Sequence, residues 1–138
     1  MDMERKSRFS TAALFIVAAG VVVAQGDIVA TGTFHGAAHQ TSGRATVYTV
    51  NGKETLRITN FKTSNGPDVH VILIAATDAQ DDENFLDKKV ERIDLGHLKG
   101  NEGDQNYDVP ANTDFHKFKA VSIYCERFNV NFGTTPLK

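Results

Sequence analysis

The chain contains a single cysteine, Cys125, among its 138 residues. A lone cysteine cannot close a disulfide within its own chain, so the fold must be stabilised by a packed core. Exported proteins normally carry cysteines in even numbers, because they use them in disulfides. Cys125 must therefore pair with another molecule, hold a prosthetic group, act as a redox thiol, or pack as a small apolar side chain in the core.

The N-terminal residues are typical of a secretory signal peptide. Basic residues precede an apolar run from Ala12 to Ala24, and small residues before Gln25 suit cleavage after position 24. The run is shorter than the ~20 apolar residues of a transmembrane helix, which makes an uncleaved anchor the minor alternative. We expect an exported protein, periplasmic or extracellular, with one domain over residues 25–138 and no stable membrane span after signal removal.

The charge balance argues against some partners. The formal net charge of the whole chain is −2, and no basic stretch follows the N-terminal segment. Binding to nucleic acid depends on basic residues that neutralise phosphates. We therefore expect no nucleic-acid partner.

The pattern after residue 27 predicts an all-β fold. Asn51-Gly52 separates two alternating segments, which is the sequence signature of a hairpin with a type I′ turn. The segment Val69–Ile74 is apolar on both faces except at His70, which predicts a central strand. Several short strands separated by turn signals indicate a single antiparallel β-sandwich domain.

The strand around Cys125 predicts where its sulfur points. Val121, Ile123 and Cys125 fall on one face of an alternating segment, so the sulfur should face the apolar interior. The two residues that follow, Glu126 and Arg127, are poor turn residues. They predict a bulge or a kinked strand before Phe128 in preference to a tight hairpin.

Two further segments have weaker patterns. Residues 77–92 are highly charged and predict a surface excursion. Residues Val90–Leu95 at its end predict a short strand.

Three blocks of the sequence resemble the DM-thirteen domain, an electron-transfer domain found beside DOMON domains in Skeletor-type proteins. They are Gly32–Gly43, Asn60–Val71 (with Gly66-Pro67-Asp68), and Leu95–Pro110 together with Ser122–Gly133. The resemblance implies a β-sandwich. It also implies that Cys125 is the family's hallmark cysteine, which serves as a redox thiol or as a ligand to a group such as haem.

The spacing of possible ligands narrows the choice of cofactor. No histidine or methionine follows Cys125, which argues against a blue-copper site. One cysteine supports neither covalent c-type haem nor an iron–sulfur cluster held by four cysteines of one chain. Non-covalent haem stays open, with Cys125 on the iron opposite one of four histidines: His39, His70, His97 or His116.

His70 is the strongest of these histidines, because it interrupts an apolar strand. The competing interpretation is a histidine that is satisfied by a hydrogen bond. His35 and His39 are four residues apart, but the small residues between them favour a loop over a helical zinc pair. No dedicated metal site is predicted.

Two functions follow as hypotheses. The first is electron transfer through Cys125, in a carrier or accessory domain that acts with a redox partner protein and turns over no substrate. The second is a non-enzymatic binding or structural module at the cell surface. In that case Cys125 is core packing, and the loops Asn65–Asp68 and Gly96–Tyr107 form the recognition surface.

Overall fold

A computed structural model describes residues 26–80 and 89–138, and all regular structure in these residues is β. The predicted signal segment, residues 1–24, lies outside them. The strands are β1 (Asp27–Thr33), β2 (His35–Gly36), β3 (Ser42–Val50), β4 (Lys53–Lys62), β5 (Val69–Ile74), β6 (Arg92–His97), β7 (Gln105–Val109), β8 (Ala120–Cys125) and β9 (Val130–Pro136).

The strands form two antiparallel sheets. The four-stranded sheet has the order β1-β3-β4-β7, and the five-stranded sheet has the order β2-β9-β8-β5-β6. The predicted all-β sandwich is confirmed. The predicted strand Val69–Ile74 is β5, and the predicted short strand Val90–Leu95 corresponds to β6, which begins at Arg92 instead of Val90.

The main core contains inward-facing residues of both sheets. Alternation along each strand places every second side chain on this inner face. The fully buried members are Ala45, Val47, Leu56 and Ile58 from the four-stranded sheet, and Val71, Leu73, Val121, Ile123 and Cys125 from the five-stranded sheet. The predicted inward orientation of Cys125 is thereby confirmed.

The outer face of the five-stranded sheet is covered as well. Ile72, Ile74, Ala120 and Tyr124 form a second apolar cluster there. Ala79 and Val90 pack against it and come from the charged segment, residues 77–92, that the sequence predicts as a surface excursion; Ala76, just before that segment, packs there too. These residues help to cover the second face of β5, which is apolar on both sides, while residues 81–88 of the segment lie outside the described residues.

The hairpin between β3 and β4 is confirmed. Val50 pairs with Lys53 across the turn. Asn51 and Gly52 have φ angles of 52° and 78°. Positive φ at both central residues defines the type I′ turn, whose twist matches that of the strands it joins.

The prediction of a bulge in place of a hairpin after Cys125 was wrong. Cys125 pairs with Val130, and residues 126–129 form the hairpin loop between β8 and β9. Asn129 closes this loop with a φ of 52°, a conformation that asparagine adopts more readily than most residues. The register shift lies further along, between Ile123 and Tyr124, at the level of Phe132 on β9.

A close approach of two backbones helps to hold the sandwich together without disulfides. Thr31 and Lys138 exchange two backbone hydrogen bonds, with N···O distances of 3.0 and 2.9 Å. Beside them, a Cβ atom at Gly32 would lie 1.7 Å from the carbonyl oxygen of Pro136. Only glycine therefore allows β1 to lie this close to the C-terminal residues.

We expect Gly32→Ala to lower the free energy of unfolding by roughly 1–3 kcal/mol, because the new methyl group forces the two backbones apart. Gly100→Ala is the matched control, since its Cβ would meet only the carbonyl oxygen of Glu102 at 3.5 Å. The control should change stability by less than about 0.5 kcal/mol. Urea denaturation measures both, and equal effects would contradict the close approach.

Candidate functional site

Cys125 is the last residue of β8 and is fully buried. Its cross-strand partners are Val69 on β5 and Val130 on β9. The sulfur is a free thiol on the inner face of the five-stranded sheet. Because thiol chemistry requires access as well as a thiolate, the closed structure protects Cys125 from reagents in solution.

His70 lies on the opposite face of the same sheet. It pairs with Tyr124, whereas its neighbour Val69 pairs with Cys125. Successive residues of a strand point to opposite faces, so the His70 ring and the Cys125 sulfur are separated by the sheet. The structure does not bring these two predicted site residues together, and they do not fit as ligands to one haem iron.

His70 belongs instead to a group of ionisable side chains, which we call the His70 cluster: Asp68, His70, Asp94, His97 and Glu126. The Nε2 atom of His70 is 3.0 Å from Asp68 Oδ1, and Nδ1 is 2.9 Å from Asp94 Oδ2. The Nε2 atom of His97 is 3.2 Å from the same Asp68 oxygen. The two imidazole rings lie 4.2 Å apart between centroids.

The pairing of β5 with β6 creates this cluster. His70 is directly opposite His97 in the register, and Asp94 is opposite Ile72 one step along the same face. Gly96 N–H donates a hydrogen bond of 2.8 Å to Asp94 Oδ1, which orients that carboxylate.

Backbone contacts also attach the Asp68 turn to the segment after Cys125. Glu126 N–H donates to the carbonyl oxygen of Asp68 at 2.9 Å. Leu98 N–H donates to the carbonyl oxygen of Val69 at 2.8 Å. The turn, the start of β5 and the end of β6 are thus held together by main-chain hydrogen bonds.

The charges of the cluster perturb one another. Burial disfavours the charged form of His70, but hydrogen bonds to Asp94 and Asp68 outweigh this effect and raise its pKa above 6.5. The hydrogen bond with His70, followed by the contact with His97, lowers the pKa of Asp68. Because three carboxylates lie beside two imidazoles, the cluster attracts cations and stabilises the protonated form of its histidines.

A cavity of about 240 Å³ adjoins the cluster. Its walls are residues 64–69, which include Asp68, together with His97, Leu98, Gly100 and Asn101. The lining residue Val69 is also the cross-strand partner of Cys125, so the cavity lies close to the cysteine along the backbone.

Two side chains of β7, in the four-stranded sheet, make hydrogen bonds to the loop that contributes Leu98, Gly100 and Asn101 to the cavity wall. Tyr107 accepts a hydrogen bond of 2.8 Å from Lys99 N–H, and Gln105 donates one of 2.9 Å to the carbonyl oxygen of Gly100. Burial raises the pKa of the Tyr107 hydroxyl, although the hydrogen bond from Lys99 opposes this. Tyr107 therefore stays protonated, and the loop between β6 and β7 is ordered by side chains of the strand that follows it.

Sequence reasoning identified His70 but missed its partners. Asp68 ends the turn before β5 and His70 lies two residues further along, a spacing that allows both side chains to reach the same face. No local pattern indicated that His97 and Asp94 would lie opposite them. Glu126 joins the cluster through the turn that was wrongly predicted.

Two of the other described histidines, His35 and His39, have separate contacts. His35 Nε2 is 2.7 Å from Asp78 Oδ1, while its Nδ1 lies 2.9 Å from the carbonyl oxygen of Gly36. His39 packs edge-on against the ring of Phe132. His35 lies in a short edge strand and His39 in the bend that follows it, so this segment is not helical, as predicted.

Comparison with family models gave one informative result. The model described as Electron transfer DM13 matches residues 33–137, well over half of the chain. Comparisons with curated proteins and with solved structures gave no significant match. Within residues 26–80 and 89–138, no helix reaches the length and hydrophobicity needed to cross a bilayer.

We expect the His35–Asp78 pair to stabilise the protein more in acid than in base. Burial disfavours the His35 cation, but hydrogen bonds to Gly36 and Asp78 raise its pKa above 6.5. A raised folded-state pKa adds stability that is present in full below 6.5 and is lost as the pH rises through the folded-state value. His35→Gln should therefore cost more free energy of unfolding at about pH 5.5 than at about pH 8.5.

Urea denaturation at both pH values measures this difference. His116→Gln, at an exposed turn, is the matched control. Asp78→Asn should reproduce the pH dependence of His35→Gln. An equal cost at both pH values would rule out a stabilising charge on His35.

Proposed function

Because this chain belongs to the Electron transfer DM13 family, we propose that it transfers electrons through the sulfur of Cys125, in concert with a redox partner protein. The observation that carries the proposal is the position of the chain's single cysteine. Cys125 ends a central strand, next to the loop formed by residues 126–129 and across from Val69 at the cavity wall. The resemblance to the DM-thirteen domain supports the proposal, because it implies that Cys125 is the family's hallmark cysteine.

A single cysteine can take part in electron transfer in two ways. As a redox thiol, the Cys125 thiolate would attack a disulfide of the partner protein. A mixed disulfide forms, the partner's S–S bond breaks, and its second sulfur leaves as a thiolate. As a ligand, the thiolate would hold a cofactor that carries the electron.

The geometry argues against the haem arrangement that uses His70. Cys125 and His70 face opposite sides of their sheet, so the haem arrangement with these two ligands has no support. The thiol route requires only that the sulfur becomes accessible. The shortest route is opening of the β8–β9 hairpin, because Glu126, Arg127 and Phe128 are exposed while Cys125 is not.

A second candidate function is a binding module, and one observation favours it. The loops Asn65–Asp68 and Gly96–Tyr107 were proposed as a recognition surface from the sequence. Residues of both loops line the same cavity of about 240 Å³. In this alternative the cavity binds a partner and Cys125 contributes only to packing.

We expect Cys125→Ser to stay folded and to lose the redox activity of the chain. A hydroxyl in place of the thiol costs roughly 1–3 kcal/mol of stability when it lacks a hydrogen-bond partner. Ile123→Val, on the same face of β8, is the control that perturbs the core and keeps the sulfur. The measurements are mixed-disulfide formation with a small aromatic disulfide, and absorbance spectra with and without added haem.

The control should retain activity at a stability loss of about 0.5–1.5 kcal/mol. A parent protein that shows no chromophore, and whose thiol reacts only on global unfolding, would contradict the electron-transfer proposal. The binding module would then be the better explanation.

We also expect that loosening the β8–β9 loop exposes Cys125. Asn129→Ala removes an asparagine at a φ of 52°, whereas Asn112→Ala removes one at 66° in the turn after β7. If the first change lowers the cost of local opening by about 1 kcal/mol, the thiol should react about fivefold faster. Asn112→Ala should leave the rate unchanged, and equal rates in both variants would exclude this route to the sulfur.

We further propose that the protein is exported and that residues 1–24 are removed. N-terminal sequencing of secreted material should then begin at Gln25. A chain that is retained with its original N-terminus would favour the uncleaved anchor or a non-exported protein.

A further inference from the structure

We infer that Asp68, His70 and His97 form a binding site for one divalent transition-metal cation, and that Asp94 positions His70 for this ion. The site lies on the opposite face of the five-stranded sheet from Cys125, and the inference does not depend on the redox role of that cysteine. It assigns a function to histidines that the proposed electron transfer leaves unexplained.

The distances within the triad fit a coordination shell. Bonds of about 2.0–2.1 Å place neighbouring ligand atoms roughly 2.8–3.0 Å apart in octahedral geometry and roughly 3.3–3.4 Å apart in tetrahedral geometry. Asp68 Oδ1 lies 3.0 Å from His70 Nε2 and 3.2 Å from His97 Nε2. All three ligand atoms lie within 4.8 Å of one another. Small side-chain adjustments would therefore admit an ion between them.

The surroundings of His70 match those of a metal-binding histidine. Such a histidine usually donates its second ring N–H to a carboxylate, which sets the tautomer and the ring orientation. Asp94 occupies this position, with Oδ2 at 2.9 Å from His70 Nδ1. Asp94 is itself held by Gly96 N–H, so the orientation of the ring is defined before any ion binds.

The donor set indicates the class of cation. Two imidazole nitrogens and one carboxylate oxygen suit Zn²⁺, Cu²⁺, Fe²⁺ or Co²⁺, whereas Ca²⁺ and Mg²⁺ prefer sets made of oxygen alone. The negative charge of the cluster favours any of these ions. Asp68 and His97 also line the cavity, so an ion at the triad would keep open positions on that side.

His70 also belongs to a second set of possible metal ligands. His70, Asp94 and Glu126 also have ligand atoms within 4.8 Å. This set has one nitrogen, and its Glu126 carboxylate already lies 3.6 Å from Arg92. The positive guanidinium disfavours a cation there, so the triad with two histidines is the better site.

The first test is titration of the full chain, prepared without a polyhistidine tag and freed of metal, with Zn²⁺ in a calorimeter. A pH of about 8 keeps protons from competing for the imidazoles. We expect one ion per chain. His97→Gln should weaken binding at least tenfold, and the 74 % exposure of this side chain makes the variant safe for folding. His116→Gln is the matched control and should bind as the parent does.

The second test separates the two sets and the role of Asp94. Asp94→Asn should weaken Zn²⁺ binding by about 10–100-fold, and Glu126→Gln should leave it unchanged. The electron paramagnetic resonance spectrum of bound Cu²⁺ should show two imidazole nitrogens in the parent and one in His97→Gln. A fold defect alone would not change the number of nitrogens.

Three results would overturn the inference. One is a parent that binds Zn²⁺ no more tightly than His97→Gln, which would make the cluster a network of hydrogen-bonded ion pairs. Another is loss of binding in Glu126→Gln with binding intact in His97→Gln. The third is a Cu²⁺ spectrum with no more than one imidazole nitrogen in the parent.

Discussion

The antiparallel pairing of β5 with β8 is the contact on which the rest of this structure depends. Both strands are interior to the five-stranded sheet, and both of their faces are covered by apolar side chains. A slip of one residue would move every inward side chain to the outer face, so double-sided burial strongly specifies the register. That register opposes Val69 to Cys125 and His70 to Tyr124. It therefore decides that the sulfur faces the core and the imidazole faces outward.

The five-stranded sheet thus separates the Cys125 thiol on its inner face from the His70 cluster on its outer face. The thiol is enclosed by the sandwich core, and the proposed redox role would require a local opening. The histidines and carboxylates lie at the surface beside a cavity, where small ions and partners have direct access. Both sites adjoin the start of β5. Val69 lines the cavity and pairs with Cys125, whereas Asp68 and His70 belong to the His70 cluster. A displacement of the Asp68 turn would therefore move residues next to both sites.

The lack of a disulfide places the burden of stability on packing and on main-chain contacts. The backbone contact at Gly32 and the hydrogen bonds between Thr31 and Lys138 attach the first strand to the last residues. Tyr107 and Gln105 on β7 order the loop between β6 and β7, which links the two sheets. The contacts at Gly32 and between Thr31 and Lys138 join parts of the chain that are far apart in sequence. The sandwich is thereby held together without a covalent cross-link.

The sequence alone determined the all-β fold, the Asn51-Gly52 hairpin and the burial of β5 on both faces. It also determined that the Cys125 sulfur faces the core, and it carries the family resemblance. Each of these rests on alternation, turn chemistry or motifs that a local segment contains in full. Only the tertiary structure decided that His97 and Asp94 lie beside His70, that Cys125 and His70 face away from each other, and that two loops share one cavity. A period of two residues says which side chains share a face, but it does not say which strand is the neighbour or how far the two are shifted. The hairpin after Cys125 escaped prediction for a related reason, since the turn is closed by Asn129 at its far end while Glu126 and Arg127 at its start give no turn signal.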